Sequence, residues 1–252
     1  KFNRSMKKLL LSFFVLVATV SIATGQNAND WFITVWKTSG TAIKFPAYQV
    51  NNGYYTLKCV QLADDGTEIA ATMHTYTPNT DGYEIPVGLP VGKKYRVYAY
   101  GDGLKQIYHN YWQSRNDIIL VEQWGTTKWK SFNSAFVSCQ NLDVTATDKP
   151  DLSQCSSLAR MFIGCKAMNS ANLVGWDVSN VTDMNGMFRR TERFNQDLSG
   201  WDVSHVTDMS EMFSRALAFN QPLGAWNLAQ GVELEISPVT SEENYQHTLK
   251  AW

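Results

Sequence analysis

The stretch WDVSNVTDMNGMFRRTERFNQDLSG, from Trp176 to Gly200, is followed at once by WDVSHVTDMSEMFSRALAFNQPLGA, from Trp201 to Ala225. Fifteen of the twenty-five positions are identical in the two stretches, and a further copy begins at Trp226. A tandem duplication of this length indicates a repeat architecture, in which one supersecondary unit recurs along the chain.

Two more divergent copies precede this pair. The phenylalanine of the Met-Phe pair recurs at Phe136, Phe162, Phe188 and Phe213, with spacings of 26, 26 and 25 residues. We number this phenylalanine as position 0 of each copy. Apolar residues recur at positions −7, −4 and +6, and an Asp or Asn recurs at position +7. Four copies in register predict a stack in which equivalent residues lie beside one another.

The apolar spacing within one copy predicts a short helix, because Val181, Met184 and Phe188 fall at i, i+3 and i+7. The segment RFNQDL that follows indicates a brief extended strand. One short helix and one short strand cannot bury their apolar faces alone, whereas stacked copies can. The sequence therefore predicts a leucine-rich-repeat-type solenoid of about 25-residue helix/strand repeats over residues 123–252, with a C-terminal cap.

Stacking of the copies predicts ladders of equivalent side chains. The phenylalanines at position 0 predict a buried aromatic spine, and Asn169, Asn195 and Asn220 predict an asparagine ladder whose amides satisfy backbone groups. Cys139 and Cys165 share position +3 of neighbouring copies. They are expected to form either a disulfide or two buried thiols, and the sequence leaves both alternatives open.

Residues 26–122 follow a different pattern. Short segments rich in β-branched and aromatic residues, such as WFITVWK and KYRVYAY, are separated by turn sequences such as Asp64-Asp65-Gly66. They predict an N-terminal antiparallel β-sandwich of immunoglobulin-like type, so the expected fold class of the whole chain is α+β. Alternation in KYRVYAY places Tyr95, Val97 and Ala99 on one face, which we expect to be the core, and Arg96, Tyr98 and Tyr100 on the other.

The N-terminal segment has the features of a secretory signal peptide. Lys7 and Lys8 precede the apolar run LLLSFFVLVATVSIA, which ends in small residues and is short for a membrane span. We expect cleavage between Gly25 and Gln26, and Met6 as the true start, with residues 1–5 as an upstream extension. The protein is therefore expected to be secreted or displayed at the cell surface, with no transmembrane segment after cleavage.

The charge of the remaining chain argues against nucleic acid as a partner. Residues 1–25 contain four basic and no acidic residues, so their removal changes the formal charge from −1 to −5. Nucleic-acid-binding domains carry a basic patch or stripe, and no cluster of basic residues follows residue 25.

No constellation of residues indicates catalysis. The four histidines are scattered without i, i+4 pairing, and no GxSxG or phosphate-binding glycine loop is present. Asp183 and Asp208 recur at one repeat position, which favours a structural role over a glycosidase pair because an active site is normally unique. We therefore expect no enzyme, no cofactor and no metal site.

The candidate ligand contacts are residues that vary between otherwise similar copies, together with aromatic residues on the second face of the sheet. They are Arg189, Arg190, Glu192, Arg193 and Arg215 in the repeats, and Tyr98 and Tyr100 in the sandwich. Varying positions on a regular surface are where specificity is expected, and exposed aromatic residues are common in protein and sugar recognition.

The motif WDVSNVTDMNGMF…FNQDLSGWDVS closely resembles the repeat of the BspA-like leucine-rich-repeat bacterial surface proteins. FITVWKT and EQWGTTKWKSFNSAF resemble the opening and the repeat entry of that family. The resemblance implies a non-catalytic, exported surface protein with an adhesion role, and it implies no agreed binding residues. The expected function is thus binding of an extracellular protein through the repeats; the alternative is a glycan-binding module that uses the sandwich aromatics.

Overall fold

The computed structural model describes residues 27–48, 53–78, 82–85, 90–109, 113–232 and 234. The predicted signal peptide and most of the predicted C-terminal cap lie outside these residues. No helix of the described residues has the length and apolar character needed to cross a membrane.

Ten strands and four short 3₁₀ turns make up the regular structure of the described residues. The strands are β1 Phe32–Lys37, β2 Ile43–Lys44, β3 Ala47–Tyr48, β4 Thr56–Gln61, β5 His74–Tyr76, β6 Glu84–Ile85, β7 Lys94–Tyr100, β8 Gln106–Ile107, β9 Ile118–Gln123 and β10 Asp143–Val144. The 3₁₀ turns are Ala28–Asp30, Ala70–Thr72, Gln113–Asn116 and Ala171–Leu173.

One six-stranded sheet dominates the N-terminal region, in the order β10-β9-β1-β7-β4-β5. Its pairs are antiparallel except for β10, which runs parallel to β9. Two two-stranded sheets, β2 with β6 and β3 with β8, contribute buried residues such as Ile43 and Ile107 to the same core. The alternation predicted for β7 is confirmed, because Tyr95, Val97 and Ala99 are buried in this core.

The predicted fold class is wrong. The sheet-rich region fits only in part, since one six-stranded sheet with two small sheets replaces the two sheets of an immunoglobulin-like sandwich. In the repeats, the described residues contain no helix longer than the three residues of Ala171–Leu173, so the helix/strand solenoid is not formed and the chain is not α+β. In the segment from Val181 to Phe188, predicted as helical, residues 185–188 form a turn and Asp183 makes a parallel β-bridge to Asp208.

Left-handed residues explain why no helix forms in the repeats. Positions −2 and +2 of every copy have positive φ values between 57° and 70°. They are Ser134, Arg160, Gly186 and Glu211 at −2, and Ser138, Gly164, Arg190 and Arg215 at +2. Each copy thus has two left-handed residues four positions apart. They interrupt a right-handed helix before it completes a turn.

The backbone hydrogen bonds of a copy alternate between two destinations. Every second N–H donates to a carbonyl of the following copy, as from Phe188 to Met212 and from Arg190 to Ser214, both at 2.9 Å. The intervening N–H groups close turns within the copy, as from Arg189 to the Gly186 carbonyl at 3.1 Å. Pairing with the neighbouring copy thus satisfies backbone groups that would bond within the segment in a helix.

Both predicted ladders are confirmed. The rings of Phe136, Phe162, Phe188 and Phe213 stack with centroid spacings of 5.8, 5.9 and 5.7 Å. The Asn169 side-chain oxygen accepts the Asn195 N–H at 3.1 Å, and that of Asn195 accepts the Asn220 N–H at 2.8 Å. We call the four copies held by these contacts the repeat stack.

The sheet and the repeat stack share one hydrophobic core. A single cluster of buried residues runs from Phe32 in β1 to Trp226, which directly follows the fourth copy. The first copy is capped by the segment that follows β8, where the Nδ1 atom of His109 lies 2.9 Å from the Ala135 carbonyl. The strand β10 begins at position +7 of the first copy and pairs with β9 of the sheet. The repeat stack is therefore held in a fixed position against the sheet.

Candidate functional site

A groove of about 450 Å³ runs along the repeat stack and touches all four copies. Two columns of equivalent positions line it, together with Ile163. Position +2 contributes Ser138, Gly164, Arg190 and Arg215, and position +4 contributes Gln140, Lys166, Glu192 and Leu217. We call this feature the groove. Equal spacing of the copies gives it a regular backbone, while its side chains differ from one copy to the next.

The groove carries unbalanced positive charge. The Lys166 Nζ atom lies 2.8 Å from a carboxylate oxygen of Glu192, so these two charges are paired. No carboxylate of the described residues lies within 4.0 Å of the guanidinium group of Arg190 or Arg215, both of which are exposed. Two cations that no described carboxylate engages therefore remain at the C-terminal end of the groove.

An apolar side chain accompanies these cations. Leu217 is 52% exposed and lies in the groove beside them. Exposed leucines are ordinary when single, but this one borders a concave surface that also contains the aliphatic chain of Ile163. The end of the groove thus offers both charge and apolar contact.

The structure brings together three of the five predicted repeat residues. Arg190, Glu192 and Arg215 line the groove. Arg189 is not part of the lining of the groove. Its guanidinium Nη1 donates to the Glu211 carboxylate of the next copy. Arg193 is exposed but lies outside the lining of the groove.

Six groove residues were not among the predicted contacts, and three of them are Ile163, Gly164 and Leu217. Ser138, Gln140 and Lys166 occupy positions +2 and +4 of the first two copies. The prediction compared only the two nearly identical copies, so these more divergent copies were left out. Applying the same register to all four copies would have found them.

Tyr98 and Tyr100 lie on the face of the sheet opposite the core, around Trp31. The Trp31 ring is 6.1 Å from that of Tyr98 and 5.8 Å from that of Tyr100, and the Lys58 ammonium lies 4.4 Å from its centroid. The Tyr98 hydroxyl donates to Glu68. Burial and this bond raise the pKa of the Tyr98 phenol, so it stays protonated. The Tyr98 ring therefore contacts Trp31, and its hydroxyl contacts Glu68.

Arg96 completes the polar contacts of this face. Its Nη1 atom lies 2.9 Å from Glu68, and its Nε and Nη2 atoms lie 2.6 and 3.3 Å from the two carboxylate oxygens of Glu122. The hydrogen bond with Glu122, more than that with Glu68, raises the pKa of the Arg96 guanidinium against the opposing effect of burial. The only arginine of this face is thus fully engaged by carboxylates among the described residues.

Tyr100 also borders a small pocket of about 170 Å³ at the end of β7. Asp102, Lys105 and Lys128 contribute polar groups to the same pocket. Of the two predicted aromatic contacts, Tyr100 is the one that borders this concave surface.

The cysteines are placed as structural residues. All four are buried and free, and the Cys165 thiol donates to the Phe136 carbonyl at 3.0 Å. Burial raises the pKa of the Cys155 thiol to about 11 and that of Cys59 to about 12, so both are protonated at neutral pH. Within the described residues, no three His, Cys, Asp or Glu side chains cluster closely enough to hold a metal ion.

Comparison with known proteins identifies one family. The sequence model of a family described as "Mycoplasma protein of unknown function, DUF285" matches residues 104–252, which is more than half of the chain. The matched region begins just before β8 and includes the whole repeat stack and groove. No curated protein and no solved structure matches the chain.

Proposed function

We propose that the chain, which belongs to the DUF285 family, is a non-catalytic, exported recognition protein that binds an extracellular protein through the groove. One observation carries the proposal. The groove crosses all four copies, and equivalent backbone positions present different side chains, from Ser138 to Arg215 and from Gln140 to Leu217. A regular scaffold with variable side chains in a concave surface is how repeat proteins achieve specific binding.

Three further points support this proposal. The resemblance to BspA-like surface proteins implies export and adhesion. The shared core with the sheet holds the groove rigid, which lowers the entropy lost on binding. The cysteine thiols are protonated and buried, so they are poor candidates for nucleophiles.

The test is binding of the purified chain to immobilised extracellular-matrix proteins and to a glycan array, measured by interferometry. We expect a protein to bind, and Leu217→Asp to weaken that binding about tenfold because it places a carboxylate in the groove. The control is Val91→Asp, since Val91 is 60% exposed and lies in the sheet region. If no protein binds, or if both variants bind equally well, the proposal is wrong.

The glycan arm of the same experiment tests the alternative. The pocket beside Tyr100 favours it, because a tyrosine at the rim of a polar pocket can stack on a sugar ring. If only glycans bind, and Tyr100→Ala removes the signal, the recognition surface is the sheet and not the groove.

A further inference from the structure

We propose that the groove binds an extended acidic peptide segment of its protein ligand. In this arrangement carboxylates of the segment pair with Arg190 and Arg215, and a neighbouring apolar side chain packs on Leu217. This inference rests on the proposed function, because it names the chemistry of the segment that the groove accepts.

The charge of the groove is the first argument. Arg189 and Arg96 are each engaged by a carboxylate, and Lys166 pairs with Glu192, whereas no described carboxylate engages Arg190 or Arg215. Two neighbouring cations in one concave surface raise the local potential and attract negative groups. Arginine is also the side chain best suited to bidentate binding of carboxylates.

The backbone conformation of these two arginines is the second argument. Arg190 and Arg215 have φ values of 60° and 59°, in the left-handed region that glycine occupies without strain. The equivalent residue of the second copy is Gly164, with φ of 70°. The fold therefore accepts glycine at position +2, so the left-handed turn does not require the arginine side chains that line the groove there.

The spacing of the copies is the third argument. Equivalent rings of the last two copies are 5.7 Å apart, and the Arg190 N–H donates to the Ser214 carbonyl at 2.9 Å, so the two arginines lie on adjacent, hydrogen-bonded copies. Alternate residues of an extended peptide are about 6.7 Å apart and point to the same side. Flexible arginine side chains bridge this small difference, so acidic residues at positions i and i+2 of the segment match the two arginines.

The other groove residues favour a peptide over a uniformly anionic polymer. Leu217 and Ile163 offer apolar surface that a polysulfated sugar chain does not use. Glu192 neutralises Lys166, so the groove offers only two further cations to a ligand that carries a negative charge on every unit. A segment with two carboxylates and an apolar side chain fits all of these features.

Fluorescence anisotropy with a labelled peptide tests this inference. The probe carries Asp at two alternate positions and Leu beside them in a Gly/Ser background, and its matched control carries Asn in place of each Asp. The protein variants are Arg190→Gly with Arg215→Gly, and, as a control of equal charge, Arg160→Gly with Arg193→Ala. Arg160 is exposed, has φ of 57° and lies outside the groove, so its replacement by glycine relieves the same strain.

We expect the acidic probe to bind the wild type and the control variant equally. Loss of each groove arginine should weaken binding about tenfold, so the double variant should lose about a hundredfold. Binding should also weaken when the salt concentration rises from about 0.1 M to about 1 M. The Asn probe should not bind. A thermal melt of each variant verifies that the groove variant is folded, which glycine at a left-handed position favours.

Several outcomes would overturn the inference. They are equal binding of the acidic and Asn probes, equal losses in the groove and control variants, and binding of a heparin-type polysulfate in the groove while the peptide fails to bind. Failure of every peptide, in a protein that still captures an intact matrix protein through the groove, overturns the acidic segment but leaves the proposed function standing. Failure to capture any protein at all overturns the proposed function itself.

Discussion

Arg96 on the sheet and Arg190 in the repeat stack are both arginines at the surface, but their surroundings differ. Arg96 contacts two carboxylates at 2.9 and 2.6 Å and lies on an extended strand. Arg190 has no carboxylate of the described residues within 4.0 Å and occupies a left-handed backbone position. Arg96 thus stabilises the sheet through ion pairs, whereas no described carboxylate holds Arg190 in the groove.

The two regions also satisfy their backbones differently. Strands β1, β4 and β7 pair in the regular antiparallel way, with side chains alternating between core and surface. The repeat stack pairs every second N–H with the following copy and turns at the residues between. Both regions nevertheless contribute to one core, so we expect them to fold as one unit. Three predictions test these differences, from the largest effect to the smallest.

Phe188→Ala should reduce the free energy of unfolding by about 3–5 kcal/mol, because the ring is fully buried between Phe162 and Phe213 and its loss leaves a cavity. Phe32→Ala, in the sheet, should shift the same transition by a similar amount. Urea unfolding followed by tryptophan fluorescence and by circular dichroism measures both. Two separate transitions, with each substitution moving only one, would show that the regions unfold independently.

Acid should weaken the junction between the two regions through His109. Burial lowers the pKa of His109 to about 4, against an ordinary value of 6.5. The unfolded chain therefore takes up a proton below about pH 6.5, and the folded protein does so only near pH 4. Stability from this residue is complete above pH 6.5 and falls by on the order of 3 kcal/mol as the pH drops to about 4.

Replacement of His109 separates this effect from other acidic titrations. His109→Gln should flatten the fall in stability between pH 6.5 and 4, while replacement of the exposed His205 by Gln should leave it unchanged. Chemical denaturation at several pH values measures the profile. An unchanged slope in His109→Gln would place the pH dependence elsewhere.

The contrast between the two arginines gives the smallest effect. Arg96→Met should cost about 1–3 kcal/mol, because it leaves the half-buried carboxylates of Glu68 and Glu122 without their cation. Arg190→Gly should be close to neutral, since relief of about 1–2 kcal/mol of left-handed strain offsets the entropy that glycine adds to the unfolded chain. Thermal unfolding compares the two. Equal losses would mean that Arg190 also stabilises the fold.

Part of the candidate site could be predicted from the sequence. Comparison of the two nearly identical copies identified Glu192 as a varying residue, and the predicted contacts Arg190 and Arg215 occupy one position that is arginine in both copies; all three line the groove. The same comparison could not separate Arg189 from them, because its bond to Glu211 connects different copies. Likewise, alternation placed Tyr98 on the outer face, but the contact with Glu68 joins residues thirty positions apart in sequence.

The sequence by itself determined the period of the repeats, their register and the residues that stack, because phenylalanines at spacings of 26, 26 and 25 residues must form a ladder when copies lie side by side. Only the tertiary structure decided the backbone between them. An i, i+3, i+7 pattern suits a helix as well as a series of turns, and propensity is a weak guide. Hydrogen bonds to the next copy satisfy the backbone groups of the turns. The left-handed residues at position +2 line the groove.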